Sequence, residues 1–68
     1  MAEDFAGWQV EIGDLVKFKR NARPHWYRAV LRPRVFLVDR ISGGFIGLLG
    51  ERQHGLIAKA NFDLVRKA

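Results

Sequence analysis

Hydrophobic and polar residues alternate with a period of two along most of this 68-residue chain, the spacing of strands that bury one face. Asp14-Leu15-Val16-Lys17-Phe18-Lys19 puts Val16 and Phe18 on one face and Lys17 and Lys19 on the other. Gly13-Asp14 just upstream predicts the turn that launches this strand. Residues 21–25, with Pro24, read as a loop. A second strand is predicted over residues 26–32. There Tyr27, Ala29 and Leu31 share a face, Arg28 and Arg32 flank Val30 on the other, and Pro33 ends the strand or confines it to an edge. Residues 34–42 carry the strongest strand pattern. Val35, Leu37 and Ile41 share one face with Asp39, and Phe36 and Val38 share the opposite face with Arg40. Apolar groups on both faces predict a central strand, or one whose outer face is covered by a partner.

Ser42-Gly43-Gly44 predicts a hairpin, because paired glycines supply the positive φ of tight turns. Residues 45–51 form the return strand, in which Gly47 and Gly50 signal strong bending or close approach of another backbone. A polar turn over 51–55, a short strand at Leu56-Ile57-Ala58, a single helical turn over 59–62 and a last strand over 63–66 complete the pattern. Five or six short strands joined by tight turns predict an all-β fold, and a small barrel is the economical arrangement because closure removes exposed edges. Residues 1–9 lack periodicity and form an acidic N-terminal segment, so residues 10–68 make up the barrel domain. Phe5 and Trp8 either pack across its open end or belong to a flexible tail.

Composition narrows the chemistry. Hydrophobic residues make up 49% of the chain, enough for a compact core but not for a deep enclosed active site. The absence of cysteine excludes disulfides and thiolate metal sites. His25 and His54 stand in no metal-ligand spacing, so neither metal nor cofactor is expected. No apolar run approaches the ~20 residues that span a bilayer. The N-terminal residues carry acids where a signal peptide carries bases, which predicts a cytoplasmic protein. Ser42 reads as a turn residue, His25 lacks an orienting acid nearby, and the glycines match no phosphate-cradling loop. The expectation is a protein that is not an enzyme.

Charge then sets a direction. Residues 1–14 carry −4, residues 15–38 carry +7 with no acid, and residues 39–68 carry +2, for a net +5. The acid-free window holds Lys17, Lys19, Arg20, Arg23, Arg28, Arg32 and Arg34, with His25, Trp26 and Tyr27 among them. A face built from it attracts polyanions.

Two segments carry a family resemblance. Glu11-Ile12-Gly13-Asp14-Leu15-Val16-Lys17-Phe18 resembles the G-D-x-V first strand of SH3-like barrels. Gly55-Leu56-Ile57-Ala58-Lys59-Ala60-Asn61-Phe62-Asp63-Leu64-Val65 resembles their closing strands with the intervening helical turn. The resemblance implies a barrel with Asn61 in that turn and Leu64 returning to the core. The middle differs from peptide-binding SH3 domains. Gly44-Phe45-Ile46-Gly47 stands in place of a tryptophan pair and Ala58 in place of the closing proline, which argues against polyproline recognition. The chain looks closer to the small SH3-like barrels of bacteria and their phages. It also resembles the plasmid-borne dihydrofolate reductases, SH3-like barrels that form tetramers around one pore. Their Val-Gln-Ile-Tyr strand is Gly55-Leu56-Ile57-Ala58 here, so that activity is a remote alternative.

Two readings of function follow. In the first, the basic window binds DNA or RNA, or a nucleoprotein complex. Lys17, Lys19, Arg20, Arg23, Arg28, Arg32 and Arg34 meet phosphate, and His25, Trp26 and Tyr27 stack on bases. In the second, Phe36, Val38, Ile46 and Leu48 form an apolar outer patch on the central hairpin, given Leu37, Ile41 and Phe45 facing inward. That patch would mediate a homodimer or dock on a larger host complex. The two are compatible, since a dimer could join two basic faces.

Overall fold

A computed structural model of the protein describes residues 8–28 and 34–68. Five antiparallel strands build one sheet: β1 (Leu15–Phe18), β2 (Phe36–Ser42), β3 (Phe45–Leu48), β4 (Ile57–Ala58) and β5 (Phe62–Arg66). Their spatial order is β4-β3-β2-β1-β5. A 3-10 turn at Lys59–Asn61 stands directly before the last strand, as the closing segment predicts. The result is a small all-β, barrel-like fold. Among the described residues no helix is long and apolar enough to cross a membrane.

The core follows from the alternation in β1. Val16 and Phe18 point inward and meet Phe36, Val38, Ile46, Leu48 and Phe62, all buried. The Phe18 ring is stacked on Phe62 at 4.4 Å and lies edge-on to Phe36 at 5.7 Å. Phe62, the first residue of β5, is buried opposite Phe18, and Leu64 lies opposite the buried Val16 and is itself partly buried.

Two expectations are corrected. The strand predicted over 26–32 begins as a helical turn, α1 (His25–Arg28), with the Tyr27 N–H donating to the Pro24 carbonyl at 3.0 Å. Proline fixes φ near the helical value at a helix start. A strand would point Trp26 and Tyr27 in opposite directions, whereas the helical turn lets both rings reach Phe18, at 5.7 and 5.0 Å. Ala29, Val30, Leu31, Arg32 and Pro33 lie outside the described residues, as do Phe5 and the side chain of Arg28.

The second correction concerns the outer patch. Phe36, Val38, Ile46 and Leu48 are 0–2% exposed and form the core. Register explains it: Phe36 pairs with the inward Val16, and Leu37 pairs with Leu15 on the opposite side. The sheet register shifts between Val38 and Arg40, which changes the phase of β2. Past that shift Ile41 pairs with Ile46, yet Ile41 is itself exposed rather than facing inward. Phe45 is exposed.

Ser42-Gly43-Gly44 forms the predicted hairpin turn, with Gly43 at φ 60°. Gly47 does mark a close approach, by a side chain rather than a backbone. The Arg40 guanidinium lies over it, and a Cβ there would stand 2.5 Å from Nε.

Candidate nucleic-acid interface

The basic loop after β1 is held at both ends. The Lys19 N–H donates to the Asn61 carbonyl at 2.9 Å, and the Ala22 N–H closes a turn onto the Lys19 carbonyl at 3.1 Å. Beneath the loop, Tyr27 anchors α1. Its ring packs on Phe18 and Phe36, and its hydroxyl accepts from the Arg34 N–H. These contacts leave an open cleft of about 370 Å³, lined by Lys17, Phe18, Arg20, Arg23, Tyr27 and Asp63.

Lys17 projects from β1 directly opposite Asp63 of β5 in the strand register. Arg20 is exposed on the loop, and the Arg23 guanidinium stands 5.6 Å from the Tyr27 ring centre. The Lys19 ammonium donates to Asp63 Oδ1 at 2.7 Å. Three predicted cations therefore share one concavity, with a fourth at its rim.

The other predicted residues go elsewhere. Arg34 packs over the Phe36 ring at 4.8 Å and reaches Glu51 at 3.6 Å. His25 is exposed. Tyr27, at 2% exposure, is a core residue and cannot stack on a base. Trp26 is half-buried and its ring already carries a partner, the His54 imidazole, stacked at 3.9 Å with 4° between planes. Arg32 and the Arg28 side chain lie outside the described part of the structure.

Sequence reasoning missed two groups. Asp63 belongs to the closing strand, so its place in the basic cleft emerges only from the β1–β5 pairing. Asp14 read as a turn residue, yet it is fully buried and a hub. Its carboxylate accepts from the Trp8 indole (3.1 Å), the Glu11 N–H (2.8 Å), the Lys67 ammonium (3.1 Å) and the Ala68 N–H (2.8 Å). Burial pushes its pKa up, but these four donors outweigh burial and hold it below the usual carboxylate value. Lys67 is held above the usual lysine value, because Asp14 and Glu11 outweigh its own desolvation. Four donors on one carboxylate make this a structural knot rather than a free acid.

Among the described residues no group of three or more His, Asp or Glu side chains is placed to hold a metal ion. Compared with protein-family models, curated proteins and solved structures, the chain matches none of them.

Proposed function

We propose that this chain is a non-enzymatic, SH3-like barrel of the cytoplasm that binds nucleic acid through the cleft between β1, the basic loop and α1. The observation that carries the reading is the convergence of Lys17, Arg20 and Arg23 on one concave surface. Alternating lysines on a half-exposed strand occur in many soluble β-proteins. Two loop arginines gathered with a strand lysine around a cleft are what phosphate contacts require.

Three phosphate contacts to a single strand predict a slope of about −2 in log affinity against log salt. Binding of a mixed-sequence oligonucleotide, followed by fluorescence anisotropy, should weaken roughly twentyfold between about 50 mM and about 200 mM salt. The pair Arg20→Glu with Arg23→Glu should abolish binding while the circular-dichroism spectrum stays native. Absence of binding at the lower salt overturns the proposal.

One observation favours a second reading, an interaction surface for protein. Leu15 and Leu37 pair on the outer side of the sheet, where strands of this kind usually turn polar residues to water. Val35 and Leu49 are 51% and 57% exposed, and the Leu49 N–H bonds the Leu37 carbonyl at 2.8 Å. Under this reading the purified protein elutes as a dimer after nuclease treatment, and Leu37→Ser restores a monomer. A monomeric wild type would eliminate self-association through this face.

A further inference from the structure

The cleft contains one group that a simple phosphate site would exclude: the carboxylate of Asp63. Against Lys17, Arg20 and Arg23 it lowers the local charge, and it repels an incoming phosphate. Its position is fixed twice over, by the β1–β5 register beside Lys17 and by the Lys19 ammonium on Oδ1. The side chain is 43% exposed, and among the described residues Oδ2 has no hydrogen-bond partner. An ionised carboxylate accepts hydrogen bonds and donates none, so this oxygen selects a ligand that brings a donor.

The floor limits what that ligand presents. Phe18 and Tyr27 are 6% and 2% exposed, so they leave too little ring surface open for a base to stack on. Such a floor suits a sugar. A sugar–phosphate unit placed with its phosphate toward the three cations therefore lies beside Asp63, and the donor it can bring is a hydroxyl.

We infer that the cleft recognises the sugar–phosphate backbone of RNA, with Lys17, Arg20 and Arg23 on the phosphate and the ribose 2′-hydroxyl donating to Asp63. The inference rests on the nucleic-acid reading and sharpens it. DNA, lacking that hydroxyl, leaves the Asp63 carboxylate facing phosphate with no compensating hydrogen bond. Asp63 thus works against DNA as much as it works for RNA.

The test compares single-stranded RNA and DNA of one mixed sequence, by anisotropy at about 50 mM salt, for the full-length wild type, Asp63→Ala and Lys19→Met. A hydrogen bond to a charged acceptor predicts an RNA preference of about tenfold in the wild type. In Asp63→Ala the ratio falls to near one, even though the lost negative charge raises both affinities. Lys19→Met releases Asp63 Oδ1, but the β1–β5 register still holds the carboxylate beside Lys17, so the preference persists; its loss with Asp63 intact overturns the hydroxyl contact. Equal wild-type affinities for RNA and DNA overturn the inference and leave the basic cleft standing. A preference that survives in Asp63→Ala also overturns it. Failure of both strands to bind removes the nucleic-acid reading itself, and this inference with it.

Discussion

Asp14 is the residue whose environment most exceeds what its neighbours in sequence announce. A buried carboxylate is unfavourable unless its lone pairs are filled, and here two backbone amides, an indole and an ammonium fill them. Asp14→Asn leaves donors facing an amide that cannot accept from them all. It should lower stability by about 2–4 kcal/mol in urea unfolding followed by tryptophan fluorescence. The pH dependence has a definite sign. The folded-state pKa of Asp14 is depressed, so its contribution is present above the unfolded value and is lost as pH falls through the folded one. Acid unfolding should therefore steepen below about pH 4 in the wild type and flatten there in Asp14→Asn.

Among the elements, those with a simple alternating pattern were legible and those with a local interruption were not. β1 follows directly from period two, and the hairpin from the Gly43-Gly44 pair, of which Gly43 alone takes a positive φ. β2 shows apolar residues on both faces, and sequence alone gives no preference between them. The choice is made by a long-range pairing, Phe36 with Val16, and by the register shift before Arg40, neither of which leaves a mark in the local pattern. The alternation of Tyr27, Ala29 and Leu31 points to a strand where the chain begins with the helical turn α1. Here Pro24 and the shared demand of two adjacent rings for the Phe18 surface prevail. Of the site, the cations were visible as a run of charge. The acid that modifies them was not, because the residues from Lys17 to Asp63 span most of the chain.

At the scale of the whole molecule, the sheet divides its faces by chemistry. The inner face gathers the aromatic cluster around Phe18, and the outer side carries Leu15 and Leu37 together with Lys17 and Asp63. The basic cleft and the apolar strip thus lie on neighbouring parts of one small body, whose longest dimension is 33 Å. A dimer formed through the strip would place two clefts within reach of one strand and multiply their effective affinity.

The carboxylate knot has a consequence for chain connectivity. Asp14 holds the Trp8 indole and the Ala68 amide on the same group, and the Lys67 ammonium reaches the Gln9 carbonyl at 2.6 Å. Two distant parts of the polypeptide are thereby brought side by side, an arrangement that tolerates rewiring. A circular permutant that connects Ala68 back to Trp8 through residues 1–7 and about four added glycine and serine residues, opened between Gly43 and Gly44, should keep the fold and the knot. Its melting temperature should fall by less than that of Asp14→Asn. A permutant that fails to melt cooperatively would show that the hairpin, not the knot, holds the fold together.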